Sequence, residues 1–210
     1  MIVVTGCFRR ETRWLEPRPG LRVVRTPMGE ASAADLDARV EKGLDLSLLV
    51  STGFCGGLDA GMKTGDVFLA RAILHRGETL SVPDALVDRA RGALDALEFV
   101  VWTGTCVSAN AVADAGEKRR LAKTGARSVD LESGPLARWA AAHRVPFISC
   151  RVVLDPLEAE MPFSGDRPLW RGLLRRPGAA LDLARRSAVA GREIGRAVGA
   201  VADALREGVR

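Results

Sequence analysis

The chain has 210 residues, 47% of them hydrophobic and 27% charged, with a formal net charge of +5. These values are typical of one soluble domain with a substantial core, and no apolar run approaches the roughly 20 residues of a transmembrane helix. Aromatic residues make up only 5% of the chain and no nucleic-acid-binding motif is present, so no nucleic-acid partner is predicted. The 4 cysteines are scattered, without a C-x-x-C pair or a neighbouring histidine, which predicts reduced thiols and no metal site.

Predicted strands and helices alternate along the chain. The predicted strands are 2–5, 21–26, 46–51, 67–74, 99–102, 126–131 and 146–154. The predicted helices are 31–44, 84–97, 111–123, 135–143 and 179–205. This alternation predicts the α/β class, with a single three-layer αβα domain built on a central mixed twisted sheet.

The two ends of the chain differ in character. The first residues form a predicted strand directly and lack the charged region and cleavage site of a signal peptide, which indicates a cytoplasmic protein. From residue 167 onward, ten arginines stand against four acids in a basic, largely helical C-terminal segment. This segment is compatible with peripheral membrane contact, and a packed helix with a solvated arginine face explains the same pattern.

Two acidic positions come where predicted strands stop. Glu132 lies in the motif Asp130-Leu131-Glu132-Ser133, and Asp155 follows the strand 146–154. Open α/β sheets place their chemistry at such strand ends, so both carboxylates are expected at one rim of the sheet. One carboxylate then holds a polar substrate while the other moves a proton. The segment 156–168 is predicted as a loop, either a flap over this site or a plain connector.

A glycine-rich stretch, 53–58, follows the strand 46–51. It matches neither the G-x-G-x-x-G of dinucleotide-binding proteins nor a P-loop, so neither kind of nucleotide cofactor is predicted. Its glycines indicate either a close approach of the backbone to a ligand or a tight turn.

Four motifs follow one another in order along the chain. They are Gly53-Phe54-Cys55-Gly56-Gly57-Leu58 with Gly65-Asp66-Val67, Ser108-Ala109-Asn110-Ala111-Val112, Val129-Asp130-Leu131-Glu132-Ser133 and Arg151-Val152-Val153-Leu154-Asp155. Together they resemble the ordered signatures of the nucleoside phosphorylase and nucleosidase superfamily, which includes purine nucleoside phosphorylases. The chain is most similar in form to the methylthioadenosine/S-adenosylhomocysteine nucleosidases and, above all, to the hopanoid-associated (adenosylhopane) nucleosidases. The match runs in register from the first residue to about Asp155.

The resemblance implies a role for each matching position. Asp155 corresponds to the acid that protonates the purine N7, and Glu132 to the carboxylate that binds both ribose hydroxyls. Glu11, five residues after Gly6, corresponds to the glutamate that activates water. The remaining substrate-binding positions implied by the resemblance are Leu131 against the ribose, Phe54, Cys55 and Gly56 in the glycine-rich stretch, and Val112 near the base.

Departures from the family pattern favour water over phosphate as the nucleophile. Phosphorylases bind phosphate with an arginine and a serine where this chain has Ser51 and Phe54, so a phosphate dianion loses its charge-assisted partners. Arg9 or Arg10 could supply charge from another loop, which leaves phosphorolysis open. Small-substrate nucleosidases have a serine at Phe54 and an aromatic residue near Val112. These differences argue against methylthioadenosine hydrolysis and favour an apolar 5′ substituent, as in an adenosylated hopane.

The sequence therefore predicts an enzyme that releases adenine from a 5′-modified adenosine by acid-assisted hydrolysis. No metal or organic cofactor is needed, with phosphate as co-substrate only if the enzyme is a phosphorylase. The resemblance implies a homodimer. The alternatives are phosphorolysis, hydrolysis of methylthioadenosine, S-adenosylhomocysteine or futalosine, and a non-catalytic nucleoside-binding module.

Overall fold

Eight strands form one mixed sheet in the computed structural model, which describes residues 1–159 and 177–206. The strands are β1 (Ile2–Gly6), β2 (Leu21–Arg25), β3 (Leu48–Gly57), β4 (Val67–His75), β5 (Glu78–Ser81), β6 (Val101–Ser108), β7 (Ser128–Asp130) and β8 (Phe147–Asp155). The helices are α1 (Arg9–Thr12), α2 (Ala31–Glu41), α3 (Asp84–Asp95), α4 (Ala115–Ala122), α5 (Ser133–Ala142) and α6 (Pro177–Arg206). The predicted α/β class and central mixed sheet are confirmed.

The sheet closes on itself in its centre. The strand order is β2-β1-β3-β7-β6-β4-β5, and β8 pairs with both β3 and β4. The strands β3, β7, β6, β4 and β8 thus form a closed ring, with β1 and β2 extending from β3. β8 runs parallel to β3 and antiparallel to β4, whereas β7 runs antiparallel to β3. The closed ring leaves all nine residues of β8 buried.

The C-terminal helix α6 covers one face of this sheet. Its buried residues recur at helical spacing and pack into the main core, which is the pattern of an amphipathic helix on a sheet. The buried residues named in this core are Ala190, Ile194, Ala197, Val198, Val201 and Leu205. Arginines such as Arg185, Arg192 and Arg196 are exposed on its other side. The described part of the chain contains no helix long and apolar enough to span a membrane.

Several element boundaries differ from those predicted. β3 continues to Gly57, so the glycine-rich stretch is strand and the predicted tight turn is wrong. α4 begins only at Ala115, because Asp114 caps it by accepting a hydrogen bond from the Glu117 N–H at 2.9 Å. The short elements α1 and β5 were not predicted. Residues 160–168 of the predicted loop and 167–176 of the basic segment lie outside the described residues.

Candidate active site

Glu11 is turned into the protein by the short helix α1, which follows β1 after two residues. Its side chain is buried, and Oε2 accepts hydrogen bonds from the backbone N–H groups of Cys7 at 2.8 Å and Phe8 at 2.7 Å. Oε1 accepts a third from Phe54 N–H at 3.1 Å, which ties α1 to β3. Burial raises the pKa of Glu11, although these N–H groups and the Arg151 charge oppose the rise. A fixed carboxylate with a raised pKa suits a general base.

Glu132 is the residue before α5 and is held by a buried arginine of β8. Arg151 is only 1% exposed, and its Nη1 lies 3.2 Å from Glu132 Oε2. Its Nε lies 2.9 Å from Asp130 Oδ2. Further donors of the same guanidinium bind the Thr52 carbonyl at 3.1 Å and Ser51 Oγ at 2.8 Å. Arg151 therefore holds the Glu132 carboxylate in a fixed position next to β8.

One positive charge here faces three carboxylates. The pKa of Glu132 is raised to about 7, chiefly by burial; the nearby charges of Asp130 and Glu11 add to this rise, and the attraction of Arg151 opposes it. Burial disfavours the charge of Arg151, but the three acids outweigh it and raise its pKa above the ordinary value. Since burial raises the pKa of both Glu11 and Glu132, this cluster is suited to holding a proton near neutral pH.

Asp155 ends β8 and lies opposite Gly56 of β3. Its buried carboxylate accepts a hydrogen bond at Oδ2 from Lys118 Nζ at 2.9 Å. Burial raises the pKa of Asp155, while the charge and hydrogen bond of Lys118, and the charge of Arg186, counteract the rise. An acid with this combination can carry a proton and give it up to a stronger base.

The close approach of these groups depends on two glycines of β3. A Cβ atom on Gly53 would lie 2.7 Å from Arg151 Nη1 and 2.8 Å from Glu11 Oε1, and the φ of Gly53 is +143°. A Cβ atom on Gly56 would lie 3.5 Å from Asp155 Oδ2. Glu11 and the guanidinium that binds Glu132 thus meet at Gly53, and Asp155 lies three residues further along the strand. In β3 these glycines admit the side chains of Glu11, Arg151 and Asp155 close to the backbone, and the predicted approach of a ligand stays a prediction.

The placement of Glu132 and Asp155 on the sheet differs from the predicted one. We expected both at one rim of parallel strand ends, but β7 and β8 run in opposite directions relative to β3. The closed ring of strands, together with Arg151, brings Glu132 back toward the middle of β8. The prediction that both acids lie at one rim formed by parallel strand ends was therefore wrong, although both acids lie beside β3.

The other predicted site residues occupy varied environments. Cys55 is buried in β3, and Phe54 is half-buried beside Glu11. Leu131 is half-buried between β7 and α5, and Val112 is half-buried in the segment between β6 and α4, outside the helix predicted there. Their contacts with a substrate stay predictions.

Two charged residues of the site, Arg151 and Lys118, had no role in the sequence analysis. Arg151 stood inside a motif, and the only signal for its importance was a cation within an otherwise apolar strand. Lys118 lies within the predicted helix 111–123, and no signal in the sequence marks it, yet it is fully buried. Arg9 and Arg10, the suggested phosphate ligands, are instead exposed on α1. The described residues contain no group of three or more His, Cys, Asp or Glu side chains that could hold a metal ion.

Comparison with known proteins shows the family of this chain. A family model described as the phosphorylase superfamily matches residues 17–167. A futalosine hydrolase from Streptomyces coelicolor is 30% identical over 187 residues, covering 73% of this chain and 77% of the relative. A 5′-methylthioadenosine/S-adenosylhomocysteine nucleosidase from an Exiguobacterium species is 23% identical over 167 residues, covering 69% and 71% of the two chains.

A solved structure shows the same fold at lower identity. The S-adenosylhomocysteine nucleosidase from Streptococcus pyogenes, in complex with 5-methylthiotubericidin, superposes with a TM-score of 0.77 at 15% identity, covering 97% of this chain and 96% of the other. The chain belongs to the phosphorylase superfamily. The predicted superfamily and the prediction of an enzyme are thereby confirmed, and the hopanoid-associated branch stays a prediction.

Proposed function

We propose that this protein is a nucleosidase that cleaves the N-ribosidic bond of a 5′-modified purine nucleoside and releases adenine. The observation that carries this proposal is the placement of three buried carboxylates, Glu11, Glu132 and Asp155, along β3 between Gly53 and Gly56. Cleavage builds positive charge on the sugar while electrons move into the base, so it requires a proton at the base and a hold on the sugar.

Each carboxylate has one task in this reaction. Asp155 donates its proton to N7 as the electron pair of the C1′–N9 bond moves into the base. The oxygen of a water molecule forms the new bond to C1′, and Glu11 accepts the proton that this water loses. Glu132, oriented by Arg151, binds the 2′ and 3′ hydroxyl groups of the ribose.

Water is supported over phosphate as the nucleophile, because the two positions that bind phosphate in phosphorylases already have hydrogen-bond partners within this protein. Ser51 Oγ is buried and accepts a hydrogen bond from Arg151 Nη2 at 2.8 Å. The Phe54 N–H is bound to Glu11 Oε1 at 3.1 Å. A phosphate ion would have to displace both contacts, and an uncharged water molecule would not. Base release at equal rates with and without phosphate is the expected result, and strict phosphate dependence with formation of ribose 1-phosphate would show a phosphorylase.

An apolar 5′ substituent, as in adenosylhopane, is the substrate we favour. Phe54 replaces the serine of small-substrate nucleosidases and packs its ring partly against the core. A long apolar substituent gains from contact with such a ring. Free adenine should be measured after incubation with adenosine, methylthioadenosine, futalosine and adenosylhopane, and the largest kcat/KM is expected for adenosylhopane.

A basic cavity favours a second candidate, a substrate with an anionic 5′ substituent. The cavity has a volume of about 540 Å³, borders the site at Cys7, and has Arg22, Arg25, Arg39 and Lys42 among its lining residues. Such a cluster attracts a carboxylate. Adenosines with 5′-alkylthio and 5′-carboxyalkylthio groups distinguish the candidates, because Arg25→Met should lower kcat/KM only for the carboxylated compound if that group enters the cavity.

A further inference from the structure

Lys118 is a fully buried lysine in the middle of α4. A buried ammonium group is costly unless it is paired and hydrogen-bonded. Lys118 Nζ lies 2.9 Å from Asp155 Oδ2 and 2.6 Å from the Pro156 carbonyl oxygen. It also lies within 3.4 Å of the Asp155 carbonyl oxygen and 3.3 Å of the Ala159 carbonyl oxygen. The ammonium group therefore binds both the side chain of Asp155 and the backbone that follows it.

The route of the Lys118 side chain is also specific. A Cβ atom on Gly56 would lie 3.4 Å from Lys118 Cδ and 3.5 Å from Asp155 Oδ2. The lysine stem thus passes over a strand position without a side chain to reach the carboxylate. Leu121, one turn later in α4, packs into a small apolar cluster as expected for the inner face of this helix. Apolar packing alone does not explain a lysine on the same inner face.

We propose that Lys118 is a positioning residue for Asp155. Lys118 orients the Asp155 carboxyl group and the backbone that follows it, and it stabilises the carboxylate that remains after proton donation. This inference rests on the proposed function, in which Asp155 gives its proton to the leaving base. When Asp155 donates its proton, its neutral carboxyl group becomes an anion, and the adjacent ammonium group of Lys118 stabilises that anion.

Other groups around Asp155 act more weakly or stay neutral. Arg186 of α6 contributes a second positive charge to the environment of Asp155. Cys55 of β3 faces the same region, and burial raises the pKa of its thiol well above the ordinary value, so it stays uncharged. Glu158 follows Asp155 but pairs with Arg119 at 2.5 Å on the surface. Lys118 donates a hydrogen bond directly to the carboxylate, at 2.9 Å.

The test compares Lys118→Met with Lys123→Met, which removes an exposed ammonium group from the end of the same helix. The pKa of the Asp155 carboxyl group is measured by ¹³C NMR on both variants and on the unaltered protein. We expect a rise of at least about one unit in Lys118→Met, because an opposite charge at this distance lowers a carboxyl pKa by about 1–3 units. Lys123→Met should leave it unchanged.

Turnover gives a second readout. With a 5′-modified adenosine as substrate, Lys118→Met should lower kcat at neutral pH by at least about tenfold, with little change in KM, and shift the alkaline limb of the kcat profile to higher pH. If Lys118→Met does not fold, Lys118→Gln keeps a donor for the Pro156 carbonyl oxygen and receives the same measurements.

Two results overturn the proposal: an unchanged Asp155 pKa in the folded variant, or a raised pKa with unchanged kcat and pH profile. If the unaltered protein releases no base from any nucleoside, the proposed function fails. In that case the NMR titration still decides whether Lys118 controls the protonation of Asp155.

Discussion

The guanidinium Nη1 of Arg151 lies 3.2 Å from Oε2 of Glu132. Both side chains are buried, and the same guanidinium binds Asp130 at 2.9 Å. The proposed ribose-binding carboxylate is therefore held by a cation of β8, in a place where neither group could be left alone without a large desolvation cost.

Arg151→Met should be strongly destabilising because it leaves buried acids without their cation. We expect the free energy of unfolding to fall by about 3–5 kcal/mol, as for other broken buried ion pairs. Arg138→Met is the matched control, since Arg138 lies at the surface, 3.7 Å from Glu78. The free energy of unfolding should fall by less than about 1 kcal/mol in Arg138→Met. Urea denaturation measures both, and equal losses would contradict the role given to Arg151.

Glu132→Gln should change how stability depends on pH. The folded-state pKa of Glu132 is raised from 4.5 to about 7 by burial, so the folded protein binds this proton more tightly than the unfolded chain does. The stabilisation is fully present below pH 4.5 and is lost as the pH rises through about 7.

Urea denaturation at about pH 5 and about pH 8 tests this window. Glu11 and Asp155, whose pKa values are also raised, contribute in the same direction, so the comparison with the unaltered protein isolates Glu132. The stability of Glu132→Gln should fall less between the two pH values. An identical fall would show that Glu132 titrates normally in the folded state.

Glu11→Gln should reduce turnover without unfolding the protein. The amide cannot accept a proton from water, and its NH2 group would face a backbone N–H group that now donates to the carboxylate. We expect kcat to fall by about 100-fold or more, the usual contribution of a general base. Glu16→Gln, at an exposed position beyond α1, is the control and should retain full activity. Comparable turnover in the two variants would remove Glu11 from the mechanism.

Gly53→Ala should disturb the site directly. Its new methyl group would lie 2.7 Å from Arg151 Nη1 and 2.8 Å from Glu11 Oε1, on a backbone with φ +143°. A loss of about 1–3 kcal/mol in the free energy of unfolding is expected from the overpacking. Gly92→Ala in α3 meets no atom within 4 Å and should stabilise the helix by up to about 1 kcal/mol. Thermal denaturation distinguishes the two, and a stable, fully active Gly53→Ala would refute the close approach.

The sequence predicts the alternation of strands and helices well because the apolar periodicity is local. It also predicts acids at the ends of two strands, and in the structure Glu132 lies two residues after β7 while Asp155 is the last residue of β8. It does not predict the closed ring of strands, because pairing between β8 and β4 depends on contacts far apart in the chain. Nor does it predict the burial of Arg151 and Lys118, since a charged residue normally indicates a solvated face and only the folded partners explain its burial.

The most direct test of the account is the release of free adenine from a 5′-modified adenosine by the unaltered protein and by Asp155→Asn. Asparagine keeps the size of the side chain but carries no transferable acid proton, and circular dichroism would verify that the fold is retained. We predict adenine release by the unaltered protein without added phosphate and a loss of at least about 100-fold in kcat for Asp155→Asn. Full activity in the folded Asp155→Asn variant would contradict the proposed mechanism.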